Sequence, residues 1–263
     1  GKWKYIRNYQ GFYPDGLQNN YRYKMLAFQE WRELYHKGEL SSAQQQFFEP
    51  RPPEQLFDLS TDPHEVMDLS GSPECRKILL ELRVELQSRV KGMNDLSFYP
   101  ESHMVKEALI DPIEYGRSHS QEISRLVDVA DLALLTFNEA KPRLVEIFKD
   151  GSMWERYWAC MVCSNFGASA KSLSGKLDSQ LKDQNLMVRM RAIEALALIE
   201  NRDPMDLLIE ISNRTESPVE LLLTLNTLAF VRDHHGFKLE PQLLKPRVTK
   251  GEFTRRLEYF SQE

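Results

Sequence analysis

The sequence predicts a small α+β subdomain, with a short antiparallel sheet and packed helices, followed by an all-α segment of helical repeats. Three observations predict this fold class. Two short strand-like runs flank helical patterns in the first 92 residues, and a well-marked helix closes that region. After residue 120 the sequence is helical in character and weakly repeats itself.

The two strands are predicted from alternation and from their flanking turns. Trp3, Tyr5, Arg7 and Tyr9 lie on one side of a period-2 pattern, as in a half-exposed strand. Glycine, proline and aspartate between residues 11 and 16 then end it. A second strand is predicted over residues 55–59, before a Thr-Asp-Pro turn.

Helices are predicted from caps and apolar spacing. A helix over residues 21–37 begins after Asn20 and ends at Gly38, and a short second helix through residue 47 begins at the capping-box pair Ser41 and Gln44. A third, over residues 73–91, begins after Ser72 and ends at Gly92. We expect a subdomain over 1–92, a connector over 93–120 and helical repeats over 121–263.

The helical segment has a weak internal repeat. Residues 155–159, ERYWA, align with residues 188–192, VRMRA, at a separation of 33 residues, and a third, degenerate copy begins at Pro218. A period in the thirties built from helix pairs is typical of an α-solenoid, in which each unit buries its apolar face against its neighbours. The predicted repeats are therefore HEAT-like. Arg156, Arg189 and Arg191 could line an anion-binding ridge, but charged residues of helical repeats are expected to face solvent or bridge adjacent repeats.

Composition excludes several classes of function. The 263 residues carry a formal net charge of −5, and no cluster of Lys and Arg occurs, so we expect no nucleic-acid partner. No run of about 18 apolar residues predicts a membrane span. The first residues, GKWKY, lack the apolar stretch of a signal peptide. Since they already lie in a predicted strand, we expect a fragment or a processed product.

Residues 1–92 resemble the C-terminal subdomain of bacterial type I sulfatases, which are formylglycine-dependent. The resemblance is carried by KYIRN at 4–8, by residues 25–34, by QQQFF at 44–48 and by residues 54–69. The last stretch, EQLFDLSTDPHEVMDL, is similar to the family pattern E-x-L-Y-D-L-x-x-D-P-x-E-x-x-N-L, with Phe57 for Tyr and Asp68 for Asn. Heparan N-sulfatase-like members continue with a segment like residues 93–263.

The resemblance implies hydrolysis of a sulfate ester or sulfamate. The family uses a formylglycine made from Cys or Ser in a C/S-x-P/A-x-R motif, and a calcium ion held by Asp and Asn. No cysteine or serine of this chain has that motif, so we predict no catalytic and no metal-binding residue here. Calcium and formylglycine are expected in the catalytic domain of a longer parent, in cis, and the location is expected to be periplasmic or extracellular.

Arg7 and Asn8 are the candidate substrate-binding residues. In the family this subdomain lies beside the active-site cleft, which makes these two positions candidates for its rim. Aromatic rings and a guanidinium on one strand face can also clamp a sulfated sugar. The competing interpretation of the same residues is ordinary strand packing.

Other chemically suggestive residues are predicted to be structural. Cys160 and Cys163 have the spacing of half a zinc site, but no second pair exists, so we interpret them as small buried residues. We interpret His234 and His235 as a solvated loop pair, and the glycosylation-type triplet at Asn213 as incidental.

The predicted function is that of a sulfatase C-terminal portion that completes the fold and borders the substrate cleft, without the catalytic core. Alone, the chain is predicted to be inactive. A protein partner or self-association is the further expectation, through an apolar face that the catalytic domain would cover. The alternatives are a stand-alone α-solenoid interaction scaffold and a degenerate gene remnant.

Overall fold

The computed structural model describes residues 1–261, which form a mostly helical chain with a small two-stranded antiparallel sheet. The chain divides into two compact units, Gly1–Met93 and Asn94–Glu263. The prediction of an α+β start followed by helices is therefore confirmed. The finer limits predicted for the subdomain, connector and repeats stay a prediction.

In the first unit the sheet pairs β1, Trp3–Arg7, with β2, Glu54–Asp58. The strands are antiparallel, with Trp3 opposite Asp58 and Arg7 opposite Glu54. Leu56 and Phe57 of β2 are buried, at 0% and 3% exposure, so the sheet contributes its second strand to the core. Sequence alternation located both strands to within two residues.

The first predicted helix is shorter than expected. A 3₁₀ turn covers Arg22–Lys24, the backbone is extended at Met25 with ψ 121°, and α1 then runs over Leu26–His36. The physical reason is that Asn19 accepts the N–H groups of Tyr21 and Arg22, which fixes a separate turn before the helix. Gly38 takes the left-handed backbone, φ 70°, after α1.

The remaining helices of the first unit are α2, Ser42–Gln45, and α3, Arg76–Met93. Ser41 and Gln44 form the predicted capping box of α2. The predicted stop at Gly92 is wrong, because α3 continues through this glycine and the left-handed position, φ 52°, is Asn94. A core of Phe28, Leu40 and Phe48 lies between α1 and the segment around α2.

The second unit is helical throughout its regular structure. Its α-helices are α4 Glu101–His103, α5 Pro112–Ser118, α6 Ser120–Ala130, α7 Phe137–Asp150, α8 Met153–Phe166, α9 Ser174–Gln180, α10 Leu186–Glu200, α11 Met205–Arg214, α12 Pro218–His235 and α13 Thr254–Ser261. A π-helical turn, Met104–Ala108, lies between α4 and α5. In the described part of the chain, no helix has the length and apolar character needed to cross a membrane.

Helices α8 and α10 form the centre of this unit. Almost every residue from Trp154 to Ser164 is buried, as is almost every residue from Met187 to Ile199. The N-termini are capped by side chains, with Ser152 accepting the N–H of Glu155 and Asn185 accepting those of Met187 and Val188. Because both helices are buried on nearly all sides, their apolar residues are not confined to one face.

Residues 94–120 belong to the second unit. The indole N–H of Trp158 donates to the Phe98 carbonyl at 2.8 Å, and the Tyr99 hydroxyl donates to Glu122 at 2.6 Å. Phe98 and Tyr99 are each 2% exposed. The segment is therefore packed against α6 and α8 rather than extended between them.

Candidate functional site

Arg7 ends strand β1 and is bound to the backbone of its own unit. Its Nη1 donates to the carbonyls of Asn8 and Pro53, both at 2.9 Å. Its guanidinium lies 4.5 Å from the centre of the Tyr9 ring, within the range of a cation–π contact. These contacts orient Arg7 across the end of the sheet.

Asn8 is 7% exposed and forms a dense set of hydrogen bonds. Its Nδ2 donates to the Pro52 carbonyl and to Gln55 Oε1, each at 2.9 Å, and its backbone N–H donates to the Pro53 carbonyl at 2.8 Å. A buried amide with its donors satisfied stabilises the fold around it. Asn8 thereby fixes the proline-rich segment that enters β2.

Asn8 also lines a groove of about 560 Å³, here called the Asn8 groove. The segment at 42–52, the end of β1, strand β2 and the loop after β2 supply its walls. The lining residues are Ile6, Asn8, Asp15, Ser42, Ala43, Gln45, Gln46, Phe47, Glu49, Pro50, Arg51, Pro52, Gln55, Phe57, Glu65 and Asp68. Of the two predicted substrate-binding residues, Asn8 is among them and Arg7 is not.

The charged side chains of the Asn8 groove all have partners. Arg51 pairs with Asp15 at 3.0 Å, and Glu65 pairs with Lys4 at 2.6 Å. Glu49 accepts the Tyr35 hydroxyl at 2.6 Å. That bond is the main cause that raises the pKa of Tyr35 to about 12, with burial adding to it.

Asp68, the fourth carboxylate of the groove, is part of the fold itself. Its Oδ1 accepts the backbone N–H groups of Leu56 at 3.0 Å and Ser70 at 2.9 Å. The N–H of Leu69 donates to the Leu56 carbonyl at 2.8 Å. Asp68 and Leu69 together therefore satisfy the outer edge of β2 where a third strand would otherwise lie.

The aromatic residues of β1 are engaged locally. Tyr5 donates to Glu54 at 2.9 Å, and Glu54 also forms an ion pair with Arg83 of α3. Burial, followed by the Glu54 charge, raises the pKa of Tyr5 above its ordinary value. Trp3 lies beneath the Lys2 ammonium at 4.9 Å. These contacts hold the Tyr5 and Trp3 side chains against residues of their own unit.

Sequence reasoning missed most of the Asn8 groove. By local pattern, residues 42–55 predict only a short helix and the start of a strand, which does not bring their side chains together. A cluster of glutamines followed by alternating proline and charge was the available signal. The proximity of that cluster to Asn8 depends on antiparallel pairing of β1 with β2.

A second, smaller cavity of about 370 Å³ lies along α1. Tyr23 and Phe28 form its aromatic wall, and Arg32 lies 4.7 Å from the centre of the Tyr23 ring. Lys37 and Glu33, also on its rim, form an exposed i,i+4 ion pair at 2.6 Å. Such a pair contributes little to stability.

Cys160 and Cys163 lie on α8 and are both 0% exposed. Burial raises the pKa of each thiol above its ordinary value, which keeps both thiols protonated and unreactive. Among the described residues, no group of three or more His, Cys, Asp or Glu side chains could hold a metal ion.

His234 and His235 differ from their prediction. They are the last two residues of α12, because the helix continues to the left-handed Gly236.

The side chain of Asn213 donates to the Leu243 carbonyl and accepts the Lys245 N–H, and Thr215 is 4% exposed. The glycosylation-type triplet is thus used in packing.

A relative of known activity matches part of the chain. Over 110 residues the sequence is 37% identical to an ulvan-active sulfatase of Formosa agariphila. Part of this chain is related to a sulfatase. The match takes in 40% of this chain and 18% of the relative, so the chain spans less than a fifth of that protein. No protein-family profile and no solved structure matches the chain.

Proposed function

We propose that this chain is the C-terminal portion of a formylglycine-dependent sulfatase of the heparan N-sulfatase-like kind. In that role it completes the fold and borders the substrate cleft, without the catalytic core. The observation that carries the proposal is the 37% identity over 110 residues with an ulvan-active sulfatase. The share of that relative which is matched, 18%, leaves room for a catalytic domain in cis.

In this proposal the chain contributes no catalytic and no metal-binding residue. The catalytic domain supplies the formylglycine and the calcium ion, and the substrate is a sulfate ester or a sulfamate. Arg7 and Asn8 lie at the rim of the cleft, where Asn8 borders a groove and Arg7 is oriented by two carbonyls. The parent is then bacterial and acts in the periplasm or outside the cell.

We further propose that residues 121–263 form HEAT-like repeats of an α-solenoid. Helices α8, α10 and α12 begin at Met153, Leu186 and Pro218, which is a spacing of 33 and then 32 residues. Each of these three helices follows a helix of equal or shorter length, so each can be the second helix of a pair. These spacings support the repeat period that the sequence indicated.

A contact between successive pairs supports the same proposal. Arg156 of α8 forms an ion pair at 2.7 Å with Asp183, which precedes α10. Arg156 also donates to the Gly151 carbonyl at 2.7 Å. An arginine in one repeat that binds the loop of the next is the bridging role expected for charged residues of helical repeats.

The experiment that tests the function compares the 263-residue chain with the natural gene product. Both are incubated with ulvan, and with an N-sulfated polysaccharide, and the released sulfate is measured by ion chromatography. We expect no release from the 263-residue chain, and release from a longer product that carries C/S-x-P/A-x-R. Deletion of residues 1–92 from that product is expected to abolish activity.

Two results would overturn the proposal. Sulfate release by the purified 263-residue chain contradicts the absence of a catalytic core. A natural product no longer than 263 residues, without the nucleophile motif, removes the enzymatic role. That second result leaves the α-solenoid scaffold as the function to test.

A further inference from the structure

The Asn8 groove has the size of a small-ligand site. Its volume of about 560 Å³ lies inside the range of roughly 300–1,000 Å³ that small-molecule pockets occupy. Phe47, Pro50 and Pro52 are the accessible ring-bearing residues of its lining, while Phe57 is buried at 3% exposure. An apolar ring surface of this kind suits the C–H face of a sugar ring.

Amide and hydroxyl side chains supply its uncharged polar wall. Gln45 uses its Nε2 on the Leu40 carbonyl, and Gln55 uses its Oε1 on Asn8. In the part of the chain that the structure describes, Gln45 Oε1, Gln55 Nε2 and the Ser42 hydroxyl have no hydrogen-bond partner. Together they offer a donor, an acceptor and a group that is both, which is what a sugar hydroxyl requires.

The charges of the Asn8 groove oppose an anionic ligand. Its lining contains four carboxylates and a single guanidinium, that of Arg51. Arg51 pairs with Asp15 at 3.0 Å, and Glu65 pairs with Lys4 at 2.6 Å. Among the described residues, Glu49 and Asp68 are the groove carboxylates left without a cationic partner. The Nε of Arg51 has no hydrogen-bond partner there, but it is buried and does not face a ligand. A sulfate placed in this groove would face like charges at short range, whereas an uncharged ligand would not.

We propose that the Asn8 groove binds an uncharged sugar unit and excludes a sulfated one. The inference rests on the proposed function where it takes the bound sugar to be part of a sulfated glycan. The Asn8 groove would hold an unsulfated sugar unit of that glycan. The sulfated residue of the same glycan then lies outside the groove. The groove itself is built from residues 6–68 and is tested on the whole chain without any sulfatase activity.

The test uses paired sugars and ligand-observed NMR on the 263-residue protein. The probes are methyl glycosides of a hexose, a 6-deoxyhexose and a pentose, each in unsulfated and monosulfated form. We expect at least one unsulfated probe to bind with a Kd of about 1 mM, a weak affinity typical of a small solvent-open site. Its sulfated form is expected to bind about tenfold more weakly or worse.

Two matched variants locate the binding. Ala43 lines the groove and Ala27 lies on α1 outside it, and both are exposed helical alanines. We expect Ala43→Trp to abolish binding of the unsulfated probe and Ala27→Trp to leave it unchanged. Circular dichroism checks that both variants fold.

A third variant tests the electrostatic part. Glu49→Gln combined with Glu65→Gln removes two of the four groove carboxylates and leaves the backbone caps of Asp68 intact. We expect the sulfated probe to bind at least threefold more tightly to this variant, with little change for its unsulfated form. An unchanged preference would contradict the role of the carboxylates.

Three outcomes overturn the inference: equal or tighter binding of the sulfated probes, no binding of any probe, and binding that survives Ala43→Trp. These outcomes are distinguishable from failure of the proposed function. If the natural product releases no sulfate but the groove binds an unsulfated sugar, the enzymatic role fails and the binding site stands. If sulfate is released and no probe binds, only this inference fails.

Discussion

Asp68 shows how one side chain replaces a missing strand. The backbone N–H of Leu56 points away from β1, and Leu56 is fully buried. This N–H therefore needs a hydrogen-bond acceptor from the protein rather than from water. Asp68 Oδ1 supplies it at 3.0 Å. An acceptor oxygen is all that this contact requires, and an asparagine offers one as well. The sequence difference from the related pattern at this position is therefore conservative.

We predict that Asp68→Ala lowers the free energy of unfolding by about 1–3 kcal/mol, because it leaves a buried N–H without a partner. Asp68→Asn keeps the acceptor and is the matched control, with an expected loss below about 1 kcal/mol. Urea unfolding followed by circular dichroism measures both. Equal losses for the two variants would show that the charge, rather than the acceptor, is what stabilises the loop.

His103 lies in an aromatic cluster of the second unit. Its Nε2 is 2.7 Å from the Tyr115 hydroxyl, and its ring is 4.8 Å from Trp154 and 4.9 Å from Tyr99. Burial lowers the pKa of His103 below its ordinary value of 6.5, since the charged form loses hydration. The folded protein therefore favours the neutral imidazole.

The sign of the pH effect follows from this shift. The unfolded chain binds a proton at His103 more readily than the folded one, so stability falls as pH decreases through the ordinary pKa. We predict a decrease in the free energy of unfolding between about pH 7.5 and about pH 5.5. His103→Gln should make this decrease smaller. The same pH dependence in both proteins would assign it to other groups.

At the scale of elements, the junction of α7 and α8 depends on a glycine. A Cβ on Gly151 would lie 2.7 Å from the Ile147 carbonyl oxygen and 2.9 Å from its Cγ2. Backbone φ is −67° there, so the glycine is needed for space rather than for conformation. The next residue, Ser152, is the N-cap of α8, and its side chain accepts the Glu155 N–H.

We predict that Gly151→Ala lowers the free energy of unfolding by about 1–3 kcal/mol, since the backbone must move to relieve the clash. Gly175 of α9 is the matched control, because a Cβ there meets nothing within 4 Å. Gly175→Ala is expected to be neutral or to stabilise by up to about 1 kcal/mol through helix propensity. Urea denaturation compares the two. Equal effects would contradict the steric argument.

Element boundaries were the least predictable feature of the sequence. The apolar spacing over residues 21–37 is continuous, yet Asn19 holds a separate turn before α1. Glycine is the residue type that most often follows the end of a helix, yet α3 continues past Gly92 to Met93. In both cases local hydrogen bonding or packing outweighed intrinsic helix propensity. That propensity is weak, since a glycine within a helix costs only about 1 kcal/mol relative to alanine.

At the scale of the molecule, the second unit should fold by itself. Residues from Asn94 onward form one of the two compact units, and Phe98 and Tyr99 are buried within it. We predict that residues 94–263 give a helical, cooperatively unfolding protein. A shorter piece, residues 121–263, loses the Trp158 bond to Phe98 and the Tyr99 bond to Glu122.

We expect the shorter piece to unfold at lower temperature than residues 94–263, because it also exposes apolar surface that Phe98 and Tyr99 cover. Differential scanning calorimetry measures both pieces. Equal melting temperatures would mean that residues 94–120 contribute nothing to the unit. Such a result would support their assignment as a connector.

The sequence alone determined the two strands, the capping box of α2 and the helical character after residue 120. Each of these depends on local hydrophobic periodicity or on capping residues close by in the chain. Only the tertiary structure decided that Asn8, the glutamines of residues 45–55 and four carboxylates share a groove. It also decided that Arg7 is held by carbonyls. These contacts join residues far apart in the chain, and they depend on the pairing of β1 with β2, which local pattern does not specify.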